Sequence, residues 1–196
     1  WSQGGQPFRM IKHDNSRASL YAASVVSGEV GACKWIKLAC QRHLSDLERD
    51  DVYYDLDEEH KRVSFIETIL KLEDGSPMVL MSWQVFFMGN LYCWKKSDTG
   101  LRRFKNATLF IPRKSGKSAL MAALMISSLV MDGVAYGQAY AVAADRGQAS
   151  LLRDYMSGFI KRSPELLKIF DVQTWLTRNK LTDTTMRALH ADWRRL

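Results

Sequence analysis

Hydrophobic residues recur every three or four positions over residues 18–74, which predicts amphipathic helices there. The repeating positions are Ala32, Trp35, Ile36, Ala39, Leu44 and Leu47 in one set, and Val63, Ile66, Ile69 and Leu70 in another. Gly75-Ser76-Pro77 interrupts the pattern. A further helix is predicted from Ser82, as its N-cap, to about Cys93. Residues 1–16 are polar and rich in Gly and Ser, and we expect a loose tail.

The pattern changes after Gly100. The run "NATLFI" (106–111) predicts a short buried strand, and "SALMAALMISSLVM" (118–131) predicts a buried helix that ends at Gly133. "QAYAVAA" (138–144) predicts a second strand, and residues 148–162 predict a second helix. Strand, helix, strand and helix in this order predict a parallel sheet with covered faces. Beyond Phe170 we expect one or two short strands and a helix.

The change of pattern places a domain boundary near residue 76. Residues 1–75 form a tail and a mainly helical region, and residues 76–196 form an α/β region. The predicted fold class is therefore α/β, with a parallel sheet flanked by helices and a helical region before it.

A phosphate-binding loop is indicated between the first predicted strand and its helix. Gly116-Lys117-Ser118 ends the pattern G-x-x-x-x-G-K-[ST], although Ile111 stands where the first glycine belongs. Such a loop leaves a buried strand and opens a helix, so that the first helical amides face phosphates. Gly116 would let the backbone approach closely. Lys117 would bind the β- and γ-phosphates, and the Ser118 hydroxyl would ligate Mg²⁺.

Two further cations, Arg113 and Lys114, precede the glycine. An arginine beside a triphosphate could stabilise the charge that develops on the transferred γ-phosphoryl group. The alternatives are that these cations only bind phosphate or face solvent, and that the whole segment is a basic strand-to-helix turn.

Charge strengthens the case for a polyanionic partner. The net charge is +7 and the isoelectric point is about 9.4. No Asp or Glu occurs from Thr99 to Met131, a stretch that contains the cations Arg102, Arg103, Lys105, Arg113, Lys114 and Lys117. The three cysteines and four histidines show no metal-ligand spacing, so we expect reduced thiols and no metal cluster. No apolar run is long enough to predict a membrane span.

The segment "FKNATLFIPRKSGKSALMAALMISSLVMDG" resembles the large terminase subunit of tailed bacteriophages, whose phosphate loop often reads P-R-K-x-G-K-[ST]. By this resemblance Arg113 is the loop arginine proposed to trigger hydrolysis, Lys117 the phosphate-binding lysine and Ser118 the Mg²⁺ ligand. Lys114, Ser115 and Gly116 complete the loop. "LMSWQVFFMGNLYCW" resembles the family segment whose glutamine is associated with adenine recognition, which implies that role for Gln84. The alternative for Gln84 is an ordinary polar residue at a helix start.

The resemblance implies a P-loop NTPase fold that uses ATP and Mg²⁺ and acts in the cytoplasm of the infected bacterial host, with no membrane association. The implied activity couples ATP hydrolysis to translocation of viral DNA into the capsid. Implied partners are double-stranded DNA, the portal protein and the small terminase subunit. The resemblance also implies that copies of the protein assemble into a homo-oligomeric ring. Endonuclease activity is expected only of the full-length protein.

The family's acidic strand, which carries the glutamate that activates water, has no counterpart in this sequence, and neither has the nuclease domain. We therefore expect an incomplete, truncated ATPase core. Asp57-Glu58 imitates a helicase-like acidic box but precedes the loop, and acidic residues that open a helix explain it better. Two alternative functions remain: a helicase or another P-loop ATPase, and a non-enzymatic basic DNA-binding module.

Overall fold

The computed structural model describes residues 16–143, 146–174 and 176–190. These residues divide into two compact units that alternate along the chain. The first unit contains residues 16–59 and 81–107, and the second contains residues 60–80 and 108–190. The domain boundary near residue 76 stays a prediction.

The first unit contains helices α1 (Arg17–Ser27), α2 (Lys34–Asp46) and α4 (Ser82–Tyr92), with strands β1 (Val52–Tyr54) and β2 (Trp94–Lys96). Helix α3 (Leu56–Ile69) begins in this unit and continues into the second. Helix α1 packs against α2 and α4, and β1 pairs with β2 in antiparallel register. The predicted helices are thus confirmed, whereas the two three-residue strands were not predicted.

The buried carboxylate of Glu59 accepts hydrogen bonds at the N-terminal end of α1. Its Oε1 accepts a hydrogen bond from the Arg17 backbone N–H at 2.8 Å, and its Oε2 accepts one from the Ser16 hydroxyl at 2.8 Å. The Tyr54 hydroxyl donates to the same Oε2 at 2.5 Å. Asp57, Glu58 and Glu59 form the first turn of α3, which confirms that this acidic run opens a helix.

The second unit places a four-stranded sheet beside three helices. The helices are α5 (Lys117–Met131), α6 (Arg146–Arg162) and α7 (Pro164–Ile169). The sheet has the order β3-β6-β5-β4, with β3 at Gln138–Ala143, β4 at Phe170–Val172, β5 at Leu176–Asn179 and β6 at Thr185–His190. Strands β3 and β6 are parallel, and the other pairs are antiparallel. Helix α6 packs against β3 and β6, and α5 packs against α6.

The α/β class is confirmed, although the sheet differs from the predicted one in two respects. It is mixed, because short connections join β4 to β5 and β5 to β6, and short connections permit only antiparallel neighbours. Its faces also differ in exposure. On the face opposite α6, Tyr140, Val142 and Leu189 are 46%, 69% and 44% exposed.

The strand predicted at residues 106–111 is not formed. The segment pairs with no described strand, and the Phe110 side chain is 99% exposed. A strand requires a hydrogen-bonded neighbour, and an apolar run alone cannot supply one. The N-cap of α4 is Met81 rather than the predicted Ser82, which is the first helical residue. No described helix is long and apolar enough to cross a membrane.

Candidate nucleotide-binding loop

The candidate site is the loop at residues 112–116 together with the first turn of α5. Gly116 is the N-cap of α5, with a left-handed backbone at φ 72° and ψ 13°. The Leu120 N–H donates to the Gly116 carbonyl at 3.0 Å, which closes the first helical turn. Lys114 is also left-handed, with φ 65°. The helix predicted at residues 118–131 is formed and starts one residue earlier, at Lys117.

The first amides of α5 are available to an anion. A helix leaves its first N–H groups without intrahelical partners, and its N-terminus carries a partial positive charge. No described side chain caps the Gly116 end of α5, and the first turn contains no acidic residue. Backbone N–H groups in this situation bind phosphate groups well.

Three cations adjoin these amides in the sequence. Arg113, Lys114 and Lys117 are exposed, and none forms an ion pair with a carboxylate in the described part of the chain. Ser115 and Ser118 are half-buried beside them. The local charge at the helix N-terminus is therefore strongly positive, which favours a ligand with several negative charges.

The donor set fits a Mg²⁺ ion that arrives with a nucleotide. The Ser118 hydroxyl lies in the first turn of α5, beside the amides that would hold phosphate. Mg²⁺ in nucleotide sites keeps several waters and takes most other ligands from phosphates, so the Ser118 hydroxyl would be one of its few protein ligands. Within the described ranges, no group of three His, Cys, Asp or Glu residues could hold a metal ion by itself.

Helix α5 is held firmly at its opposite end. The Arg62 guanidinium donates to the Ser127 hydroxyl at 3.1 Å and to the Asp132 carboxylate at 2.6 Å. The Asn179 side-chain amide donates to the Leu129 carbonyl at 2.8 Å. Sequence reasoning missed these anchors, because the partners lie 50 or more residues apart and form no local motif.

Gln84 lies in the first unit, as the third residue of α4. Its side chain is 5% exposed, and its Oε1 accepts a hydrogen bond from the Met81 backbone N–H at 2.9 Å. This contact is the one expected of a polar residue at a helix start. The role of Gln84 in adenine recognition stays a prediction.

A left-handed Gly before Lys-Ser at the start of a buried helix matches the helix side of a P-loop, whereas the strand that normally precedes the loop is not formed at residues 106–111. The model of the family described as "Terminase large subunit, ATPase domain" matches residues 82–191, which is more than half of the chain. The chain belongs to this family, which confirms the resemblance noted from the loop.

A solved structure agrees on the fold. The chain resembles the crystal structure of the HK97 bacteriophage large terminase with a TM-score of 0.58 and 23% sequence identity. The match covers 68% of this chain and 27% of the HK97 protein, so the matched part spans about a quarter of that protein's length. A comparison with curated protein sequences found no match.

Proposed function

We propose that residues 112–118 bind the phosphates of Mg-ATP, and that the chain is the motor portion of a terminase large subunit. The observation that carries this proposal is the left-handed loop and uncapped α5 N-terminus within a member of the terminase ATPase family. In the full-length protein, ATP hydrolysis would drive translocation of double-stranded DNA into a capsid. The solved terminase is a much longer chain, so these activities are proposed for the whole protein.

Each loop residue has a distinct proposed role. Lys117 binds the β- and γ-phosphate oxygens as a point charge, and the backbone N–H groups at Ser115 and Gly116 donate to phosphate. Ser118 ligates Mg²⁺, which neutralises phosphate charge when it is bound. Arg113 is the residue proposed to stabilise charge on the γ-phosphoryl group during hydrolysis.

Hydrolysis requires more than this loop. A carboxylate must activate the attacking water, and no stretch of the sequence matches the family's acidic strand. We therefore propose nucleotide binding as the property of this chain and efficient hydrolysis as a property of the full-length protein. Nuclease activity is likewise proposed only for the full-length protein.

The remaining proposals come from family membership. Gln84 would recognise adenine, since an amide can pair with adenine N6 and N7. The partners would be double-stranded DNA, the portal protein and the small terminase subunit. The assembly would be a homo-oligomeric ring in the cytoplasm of the infected bacterium.

The binding proposal is tested by calorimetric titration of the chain with Mg-ATP. Lys117→Ala should weaken binding about 10- to 100-fold, because charged hydrogen bonds to phosphate are lost. Lys105→Ala is the matched control, since Lys105 is an exposed cation outside the loop. Its affinity should equal that of the parent chain.

Two results would contradict the proposal. Equal affinities for Lys117→Ala and the parent chain would exclude the loop as the phosphate site. Absence of Mg-ATP binding by the folded parent chain, together with steeply salt-dependent DNA binding, would favour the non-enzymatic DNA-binding module instead.

Arg113→Ala should retain binding, which would leave Arg113 for a role in hydrolysis.

A further inference from the structure

The first five residues of α2, at positions 34–38, form an exposed surface that combines apolar side chains with cations. All five are exposed, and the Trp35 side chain is 74% exposed. The other apolar members are Ile36 and Leu38. Exposed apolar side chains are ordinary when they are scattered, but a contiguous group of them marks an interaction surface. We call residues 34–38 the α2 tip.

The two cations of the α2 tip lie where they oppose the stability of the helix. Lys34 and Lys37 are in the first turn of α2, at the positive end of the helix dipole. Neither forms an ion pair with a carboxylate in the described part of the chain. Residues that oppose local stability are expected at functional surfaces. The α2 tip therefore fits a partner surface that is both apolar and acidic.

A surface with these complementary properties occurs in the second unit of the same chain. The turn at residues 72–79 exposes the apolar side chains of Leu72 and Val79, and the latter is 68% exposed. The carboxylates of Glu73 and Asp74 are exposed between them, and neither forms an ion pair within the described ranges. We call residues 72–79 the acidic turn.

Hydrogen bonds hold the acidic turn in a fixed shape. The Leu72 N–H donates to the Ser76 carbonyl at 2.8 Å. The Asp74 carboxylate accepts hydrogen bonds from the Ser76 N–H at 2.9 Å and from the Ser76 hydroxyl at 2.6 Å. At the base of the turn, the Arg162 guanidinium donates to the Lys71 carbonyl at 2.9 Å. A surface that is already ordered loses little conformational entropy when a partner binds.

We propose that the α2 tip of one copy of the chain docks on the acidic turn of a second copy. The two lysines of the tip face the two carboxylates of the turn, and Trp35 packs against the apolar side chains beside those carboxylates. This inference rests on the proposed homo-oligomeric assembly and names its contact surfaces. Because the two surfaces differ, the contact is heterologous, and repeated contacts build a ring when the rotation between copies closes.

The apolar side chains favour a second copy over nucleic acid as the partner. A DNA backbone presents phosphates and sugars, which would satisfy the lysines but leave Trp35, Ile36 and Leu38 without apolar contact area. The acidic turn supplies both kinds of contact, through its carboxylates and through Leu72 and Val79. A buried aromatic anchor surrounded by polar groups is typical of protein–protein contacts.

Sedimentation velocity of the full chain, without nucleotide and at low salt, tests this contact. A contact of this small size should have a dissociation constant of about 10–100 μM. Two double variants reverse the charge of one surface each: Lys34→Glu with Lys37→Glu, and Glu73→Lys with Asp74→Lys. Each should associate at least about 10-fold more weakly than the parent chain, because like charges then face each other.

An equimolar mixture of the two double variants provides the decisive measurement. In the mixture, the reversed tip of one variant meets the reversed turn of the other, and the unaltered surfaces also remain complementary. Association should therefore return to within about threefold of the parent chain, although each variant alone associates weakly. Circular dichroism of each variant establishes that it is folded.

Matched substitutions outside both surfaces serve as controls. Lys96→Glu with Lys105→Glu changes the net charge as much as the tip reversal does, at exposed lysines elsewhere, and should associate like the parent chain. Trp35→Ala should weaken association about 10- to 30-fold, as expected of an aromatic anchor. Leu181→Ala alters another exposed apolar side chain and should have no effect.

The outcomes separate this inference from the proposed nucleotide binding. A folded parent chain that stays monomeric up to about 1 mM would overturn the contact, whatever its affinity for Mg-ATP. Association that none of the charge reversals weakens would assign the assembly to other surfaces. A monomeric chain whose binding to duplex DNA is lost on reversal of the tip would make the α2 tip a nucleic-acid surface instead. Recovery of association in the mixture alone supports the inference.

Discussion

Replacing Arg62 with methionine should strongly destabilise the helix that carries the candidate loop. Arg62 is 3% exposed and connects α3 to the C-terminal end of α5, through Ser127 at 3.1 Å and Asp132 at 2.6 Å. Asp132 is the C-cap of α5, and a carboxylate there faces the negative end of the helix dipole. The Arg62 guanidinium offsets this unfavourable charge. The contributions of Arg62 and Asp132 to the free energy of unfolding should therefore depend on each other.

The magnitude follows from burial. Removal of one partner of a buried ion pair leaves the other charge uncompensated, at a cost of about 3–5 kcal/mol. Asp132 is 18% exposed, so some hydration remains and the lower end of that range is expected. Arg62→Lys keeps the charge but cannot present two fixed donors, and should cost about 1–2 kcal/mol.

Chemical denaturation followed by circular dichroism measures these changes in the free energy of unfolding. The double variant Arg62→Met with Asp132→Asn removes both charges, and should cost less than the sum of the single variants by about 1–3 kcal/mol. A cost below about 1 kcal/mol for Arg62→Met, or strict additivity in the double variant, would refute the interdependence.

Three other predictions concern the first unit. Gly89→Ala should cost about 1–3 kcal/mol and lower the melting temperature, because a Cβ at that position would collide with the Tyr54 hydroxyl; an unchanged melting temperature would contradict this packing. Burial raises the pKa of the Cys40 thiol from 9.0 to about 11. The unfolded chain therefore loses this proton at a lower pH than the folded chain, and the free energy of unfolding should fall as pH rises from 9 to 11. Cys40→Ala should flatten that decline, and an identical decline in the variant would assign it to other groups. Glu59→Leu should cost about 3–5 kcal/mol, because it removes the acceptor of the buried Ser16 hydroxyl, whereas Glu59→Gln keeps an acceptor and should cost clearly less. Equal losses of stability would contradict the capping role.

Elements with a strong local signal could be predicted from the sequence. Helices α5 and α6 were found because long apolar or amphipathic runs are bounded by residues that start or stop helices. The loop at Arg113–Ser118 was found because a P-loop is a contiguous motif whose chemistry depends on few residues. Its left-handed Lys114 could not be foreseen, since lysine normally avoids that conformation.

Features that depend on distant partners escaped prediction. Strands β1 and β2 have three residues each, too few to show an alternating pattern, and they exist because they pair with each other. Residues 106–111 show the reverse, since a suitable apolar run forms no strand without a neighbour. The contacts of Glu59 and Arg62 span 43 and 65 residues and leave no trace in local sequence.

The most direct test of the nucleotide-binding loop is hydrogen exchange of its backbone amides, with and without Mg-ATP. Phosphates held by the amides of residues 114–118 should slow exchange in peptides that contain the loop and the start of α5. AMP, which lacks the β- and γ-phosphates, should give little protection at the same concentration. Protection of the loop by Mg-ATP but not by AMP is the predicted result. Unchanged exchange at residues 114–118 under saturating Mg-ATP would contradict the assignment of this loop as the phosphate site.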